Sequence, residues 1–119
     1  MAYTQLVGKA RQNGYTTCTT VSGGTESSVV DLHGFTNYGL IIPTIDGGTV
    51  TFKTSNLTDG TYYTVTDKGG ATAFTVASGT GSFAVESDDL KALAGYRYIK
   101  VVTGGTQKTA RTFTFTMKA

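Results

Sequence analysis

Apolar and polar side chains alternate with a period of two residues from about residue 15 to residue 118. Turn sequences that contain glycine interrupt this alternation about every 8 to 12 residues, which is typical of a β-sandwich or a β-barrel. Threonine dominates among the polar residues, and its β-branched side chain suits a pleated surface. The pattern therefore predicts one all-β domain of antiparallel strands over residues 15–119.

The alternation divides into about eight or nine strands. They are residues 15–21, 28–32, 39–44, 49–55, 61–67, 72–77, 82–85, 97–103 and 111–118. Val50 and Phe52 share one face of the fourth strand, and Phe113, Phe115 and Met117 share one face of the last. We expect these apolar faces to form the core and the intervening threonines to face water.

Three central connections contain Asp-Gly or Gly-Gly pairs, which tolerate the positive φ angles of tight hairpin turns. They are Asp46-Gly47-Gly48, Asp59-Gly60 and Lys68-Gly69-Gly70. Each of them predicts a β-hairpin.

One short helix is predicted over residues 87–94, because Ser87 can cap its first turn and Gly95 follows as a stop. Leu90 and Leu93 lie three residues apart and therefore share a side of this helix. We expect them to close one open end of the sandwich.

Charge and hydropathy exclude several classes of partner. The net charge is +2 with a pI near 8.7, and the basic residues are scattered, so we expect no nucleic-acid binding. No apolar run reaches the length of a signal peptide or of the ~20 residues that span a membrane, so we expect no membrane partner. The single cysteine, Cys18, cannot form an internal disulfide, and we expect synthesis in the cytoplasm of a host.

Residue types that carry catalysis are few. His33, the one histidine, lies at a strand-to-turn junction and is interpreted as a turn residue rather than a base. Cys18 lies in an alternating strand and is interpreted as a small buried apolar residue rather than a thiolate. Glu86, Asp88 and Asp89 are the best candidates for metal ligands, but stabilisation of the helix N-terminus explains them as well. We expect no enzymatic activity, no metal and no cofactor.

Several tyrosines fall outside the predicted core. Tyr62 and Tyr63 are adjacent, so one of them must point away from it, and Tyr96 and Tyr98 lie on the face opposite Ile99. Tyrosine outside a core is typical of contact surfaces, so Tyr62, Tyr96 and Tyr98 are candidate partner-binding residues. The alternative, that these rings cap sheet edges with their hydroxyls in water, stays open.

The first fourteen residues differ from the rest of the chain. They combine Tyr3 and Leu6 with Lys9 and Arg11, which is too little apolar area to fold alone. It is enough to anchor in a groove or to add a strand to an exposed sheet edge. We predict that residues 1–14 form an arm that binds a neighbouring subunit.

The order of segments from residue 31 onward resembles a known group of virion proteins. The segments that carry the resemblance are residues 39–43 (GLIIP), 49–55 (TVTFKTS), 61–67 (TYYTVTD), 93–101 (LAGYRYIKV) and 107–117. The match spans about three-quarters of the chain, and its segments are similar to the jelly-roll decoration, or cementing, proteins on the heads of tailed bacteriophages. The resemblance implies a jelly-roll-like antiparallel β-sandwich with no enzymatic activity and no catalytic or ligand residues.

Two functions follow as expectations. The first is a virion structural protein on the capsid exterior that binds the major capsid protein, associates with itself as a dimer or trimer, and staples neighbouring subunits. The alternative is a carbohydrate-binding or adhesin-like sandwich module of a phage tail or fibre, in which exposed tyrosines stack on sugar rings. The absence of tryptophan weakens the alternative.

Overall fold

A computed structural model describes residues 13–32, 38–66, 70, 72–77, 82–85, 87–93 and 96–118. These residues form nine strands and one short helix. The strands are β1 (Asn13–Thr20), β2 (Val30–Asp31), β3 (Tyr38–Ile42), β4 (Thr49–Ser55), β5 (Tyr63–Thr64), β6 (Thr75–Ala77), β7 (Phe83–Val85), β8 (Tyr98–Thr103) and β9 (Arg111–Lys118). The all-β prediction is confirmed.

The strands form two antiparallel sheets. Sheet A has the order β1-β9-β3-β7, and sheet B has the order β2-β8-β4-β5, with β6 also paired to β4. Both β5 and β6 pair with β4 in antiparallel fashion, and both lie on the same side of it. Together they occupy the place of one edge strand, which the segment between them interrupts. Strands that follow one another along the chain mostly alternate between the two sheets, which is the strand order of a jelly roll. The predicted antiparallel, jelly-roll-like β-sandwich is confirmed.

The core lies between the two sheets, where the period-two pattern places it. Val50 and Phe52 of β4 are fully buried, as are Phe113 and Phe115 of β9, and Met117 is almost fully buried. Each large apolar side chain removed from water contributes about 1.5 to 3 kcal/mol. The predicted faces of both strands are therefore confirmed.

Two of the glycine turns behave differently from each other. The Asp59-Gly60 turn joins β4 to β5, which are antiparallel neighbours, so that hairpin prediction is confirmed. The hairpin predicted at Asp46-Gly47-Gly48 is wrong, because β3 belongs to sheet A and β4 to sheet B, and the connection crosses between the sheets. Gly47 does adopt a positive φ of 86°, and a Cβ there would lie 2.9 Å from the backbone nitrogen of Gly105. Glycine is needed at this position because another loop packs against it.

The third glycine turn falls partly outside the described residues, which include neither Lys68 nor Gly69. The flanking residues Thr66 and Ala73 pair in antiparallel fashion, and Gly70 has a φ of 73°. These features fit a local hairpin inserted between β5 and β6.

The predicted helix is a 3₁₀ helix over Ser87–Leu93. Three residues per turn place Leu90 and Leu93 on one side, and both side chains are buried. The hydroxyl of Tyr38 donates a hydrogen bond to the carbonyl oxygen of Leu90 at 3.4 Å, which ties the helix to β3. Both leucines therefore belong to the hydrophobic core, and their closure of an open end of the sandwich stays a prediction.

The first strand begins earlier than the sequence pattern indicates. Asn13 pairs with Lys118 and Gly14 with Met117, so both residues belong to β1 and not to an arm. The arm residues singled out from the sequence, Tyr3, Leu6, Lys9 and Arg11, lie outside the described residues. Their role stays a prediction.

Candidate binding surfaces

The candidate tyrosines separate into two places on sheet B. Tyr62 and Tyr98 lie on its outer face, where both rings are partly covered by neighbouring side chains. Tyr63 and Tyr96 lie at the end of the sheet and are much more open, with exposed fractions of 67% and 42%. Of the three candidates from the sequence, Tyr62 and Tyr98 thus lie on the outer face and Tyr96 lies at the end of the sheet; their role in partner binding stays a prediction.

Cations cover the rings on the outer face of sheet B. The ammonium nitrogen of Lys100 lies 4.6 Å from the ring centroid of Tyr62, and the guanidinium carbon of Arg97 lies 5.0 Å from that of Tyr98. Arg97 also donates two hydrogen bonds to the carboxylate of Asp31, at 3.0 and 3.1 Å. Burial raises the pKa of Tyr62, with smaller contributions from nearby acidic groups. These two tyrosines therefore serve contacts within the chain.

Glu26 completes the charge network on this face. Its carboxylate accepts a hydrogen bond from Lys53 and lies 3.8 Å from the ammonium nitrogen of Lys100. The hydrogen bond from Lys53 holds the pKa of Glu26 below its usual value, and the charges of both lysines act in the same direction. The charged side chains described on the outer face of sheet B thus form ion pairs with one another.

Tyr63 and Tyr96 border a groove at the end of sheet B. The strands β5 and β8 lie on opposite sides of β4, so the two tyrosines approach the end of β4 from opposite sides. The groove has a volume of about 410 Å³. We call it the tyrosine groove, and its lining residues are Thr54, Ser55, Asn56, Tyr63, Tyr96 and Arg97.

The outer face of sheet A is a second exposed surface. We call it the threonine face, and the side chains or glycine positions that compose it are Tyr15, Thr17, Thr19, Gly39, Ile41, Ala84, Thr112, Thr114 and Thr116. These residues carry no charge; Lys118 follows Thr116 at the same face of β9, and its side chain lies outside the described part of the structure. Tyr15 and Ile41 are its large apolar members, with exposed fractions of 58% and 46%.

The register of the strands arranges the threonine face in rows. One row joins Thr17 of β1 to Thr114 of β9 and then to Ile41 of β3. The next row joins Thr19 to Thr112, whose hydroxyl oxygens lie 3.2 Å apart and share a hydrogen bond. Because successive side chains on one face are two residues apart, the threonine-rich pattern of β1 and β9 produces this uniform surface.

The end of the sandwich that lies opposite the tyrosine groove is closed by Gln107, a residue that no sequence pattern marks. Gln107 is fully buried between the β8–β9 and β3–β4 connections. Its Nε2 donates hydrogen bonds to the carbonyl oxygens of Asp46 (2.8 Å) and Gly105 (2.9 Å), and its Oε1 accepts from the Asp46 backbone N–H (2.9 Å) and Arg111 Nε (3.2 Å). All the hydrogen-bonding capacity of this side chain is used in the structure of the domain.

The backbone of Gln107 joins a third loop to the same end. Its N–H donates to the carbonyl oxygen of Gly24 at 3.0 Å, and its carbonyl oxygen accepts from Gly23 at 2.7 Å. The Asp46 carboxylate meanwhile accepts from the backbone N–H of Lys108 and from Arg111, at 2.8 and 3.2 Å. The Lys108 bond is the main cause that holds the pKa of Asp46 below its usual value. This end is therefore a structural closure.

The residues considered for catalysis show no shared geometry in the described part of the chain. Cys18 is buried, and burial raises the pKa of its thiol to about 11, so it is protonated at neutral pH. His33 and Glu86 lie outside the described residues, as does the side chain of Asp88. Among the residues that are described, no group of three or more histidine, cysteine or acidic side chains could hold a metal ion.

The fold and surfaces described above define an antiparallel β-sandwich with two open surfaces. The chain matches no known protein family and no curated protein. Among solved structures, RmlC from Streptococcus suis in complex with dTDP-D-xylose aligns with 96% of this chain, at 12% identity and a TM-score of 0.22. The chain spans 46% of that protein. No helix in the described ranges has the length and apolar character needed to cross a bilayer.

Proposed function

We propose that this protein is a non-enzymatic virion component that decorates the outside of a phage capsid. In this proposal the threonine face lies on the major capsid protein, and copies of the chain staple neighbouring capsid subunits. The observation that carries the proposal is the threonine face itself, a sheet surface whose described side chains carry no charge and on which Tyr15 and Ile41 are exposed. The resemblance of the sequence to jelly-roll decoration proteins supports the same function.

The composition of the threonine face favours contact with another protein. A surface exposed only to water usually carries charged side chains, and interface centres are depleted of them while aromatic residues are enriched. Threonine hydroxyls keep such a face wet before binding, and they offer hydrogen bonds to a partner. Tyr15 and Ile41 supply the apolar area that leaves water when the face is covered.

The size of the threonine face favours many weak contacts over one strong contact. Four strands about 4.8 Å apart and at most eight residues long at 3.4 Å each cover at most about 500 Å². A standard interface buries about 800 Å² on each partner. A repeating capsid offers many copies of one site, and linked weak contacts on it gain affinity by about 10²-fold or more.

The test is co-sedimentation with empty heads assembled from the major capsid protein of the same phage. The variant Ile41→Arg places a charge at the centre of the threonine face and should reduce attachment at least tenfold. Thr64→Arg is the matched control, because Thr64 is exposed on the outer face of sheet B. It should attach as the wild type does. Failure of the wild-type protein to bind the heads would overturn the proposal.

Two further measurements test how attachment is made. Binding through an uncharged face should change little between about 0.05 and 0.5 M salt, since screening acts on charges. Deleting residues 1–12 should leave the thermal midpoint unchanged while weakening attachment or self-association. A destabilised domain that still attaches fully would show that these residues belong to the sandwich and that the arm prediction is wrong.

A further inference from the structure

The tyrosine groove exposes two aromatic rings that no described contact within the chain covers. Tyr63 is 67% exposed and Tyr96 is 42% exposed, whereas Tyr62 and Tyr98 each lie against a cation of the same chain. Exposed rings on two walls of a groove provide apolar area that a ligand can cover at little conformational cost, because tyrosine has few rotatable bonds.

The dimensions of the groove suit a single ring. Tyr63 belongs to β5 and Tyr96 lies two residues before β8, and these strands flank β4. The strands β5 and β8 are therefore about 10 Å apart, twice the spacing of neighbouring strands. The end of β4 forms the floor between them, so a flat ligand one ring wide can lie across the groove against either tyrosine.

Charge in the groove is balanced. The one charged residue that lines it, Arg97, forms a bidentate pair with Asp31, at 3.0 and 3.1 Å. A bidentate pair of this kind neutralises the guanidinium charge and directs its donors to the carboxylate. The groove therefore offers little attraction to an anion or a cation, and a neutral ligand fits it best.

The polar side chains in the groove differ in whether they are free to form hydrogen bonds with a ligand. The Thr54 hydroxyl donates to the carbonyl oxygen of Tyr98 at 3.0 Å, and the Ser55 hydroxyl accepts from the backbone N–H of Leu57 at 3.2 Å. The side chain of Asn56 is exposed and makes no hydrogen bond among the described residues. An amide can donate and accept, so it can bind a neighbouring pair of hydroxyl groups.

We infer that the tyrosine groove is a binding site for a neutral saccharide. A sugar ring presents a face of C–H groups, which covers an aromatic ring, and a rim of hydroxyl groups, which the Asn56 amide binds. Tyr63 and Tyr96 supply the stacking surfaces, and Asn56 sets the orientation of the sugar.

This site is independent of the threonine face. The groove lies at the end of sheet B, and the threonine face is the outer surface of sheet A. The inference therefore does not rest on the proposed attachment to a capsid. A protein held on a particle through sheet A would keep the groove open to bind a glycan.

The experiment is a titration of the full chain, observed by ¹H–¹⁵N correlation NMR. The probes are maltohexaose, cellohexaose and chitohexaose, with sialyllactose as an anionic comparison. We expect at least one neutral probe to bind with a Kd below about 1 mM, shifting the side-chain amide of Asn56 and the backbone amides near Tyr63 and Tyr96. Sialyllactose should bind at least tenfold more weakly than that probe.

Variants assign the binding to the groove. Tyr63→Ala and Tyr96→Ala should each weaken the best probe about tenfold, and the corresponding phenylalanine variants should retain most of the affinity, because the ring makes the contact. Tyr15→Ala is the matched control, since Tyr15 is an exposed tyrosine on the threonine face and should have no effect on sugar binding. Thermal midpoints close to that of the wild type would show that the variants are folded.

The outcomes separate this inference from the proposed function. Absence of binding by every neutral probe up to about 5 mM would overturn it, and so would affinity that survives both alanine variants. Tighter binding of sialyllactose would also overturn it, because the ligand would then be an anion. Capsid attachment is measured separately, and Tyr63→Ala should leave it unchanged.

Discussion

Replacing Gln107 with alanine should destabilise the domain strongly although no large apolar group is lost. The side chain makes four hydrogen bonds in a fully buried position, three with backbone groups and one with Arg111. Each neutral bond contributes about 1 kcal/mol net, and a bond to a charged group about 1.5 kcal/mol or more. Water can replace some of these hydrogen bonds at Asp46, because Asp46 is half-buried. We therefore expect Gln107→Ala to lower the free energy of unfolding by about 2 to 4 kcal/mol.

The assay is unfolding by urea, and separately by heat, monitored by far-ultraviolet circular dichroism. For a domain of this size, a loss of 2 to 4 kcal/mol lowers the thermal midpoint by roughly 8 to 16 °C. Gln107→Leu keeps the volume but removes all four bonds, so it should not restore stability. Thr109→Ala is the control, because Thr109 is exposed in the same connection, and it should change stability by less than about 0.5 kcal/mol. A loss below about 1 kcal/mol for Gln107→Ala, or full stability of Gln107→Leu, would refute the reasoning.

Three other predictions concern the core phenylalanines, the buried cysteine and the Asp46 carboxylate. Phe52→Ala and Phe115→Ala should each cost about 3 to 5 kcal/mol in chemical denaturation, and losses below about 1 kcal/mol would contradict the assignment of faces. Cys18, with a thiol pKa of about 11, should react with a maleimide at pH 8 only after unfolding, and rapid labelling of the native protein would show that it is accessible. The pKa of Asp46 is depressed in the folded state, so its contribution to stability is present above pH 4 and lost as the pH falls below it. Asp46→Asn should therefore lower the thermal midpoint at pH 7 and have progressively less effect toward pH 3, and an equal effect at both values would contradict this assignment.

Local patterns predicted the faces of the strands well because alternation is a property of neighbouring residues. Phe52 and Phe115 are assigned to the core by their own strands, without knowledge of any partner. The Asp46 turn was assigned to a hairpin because its glycine chemistry is local, whereas the sheet that each flanking strand joins is set by distant pairing. Turn residues predict that the chain changes direction, but not which sheet the next strand joins.

The candidate site was harder to predict for the same reason. Adjacent Tyr62 and Tyr63 show that one ring must leave the core, but not that Lys100 covers the first and leaves the second open. Gln107 carried no signal, because its partner Asp46 is 61 residues away and a lone glutamine in a connection has no periodic pattern. Contacts of this range are visible only once the sheets are assembled.

The position of β9 has a consequence for how the chain folds during synthesis. This strand lies between β1 and β3, so sheet A has no continuous backbone pairing until Lys118 has been made. The strand also supplies Phe113 and Phe115, and the core is incomplete without them. Contacts between such distant parts of a chain form slowly. During translation β1 therefore stays without its partner while residues 21–110 are made. Interruption of translation before β9 would release a chain whose threonine-rich first strand has no strand to pair with.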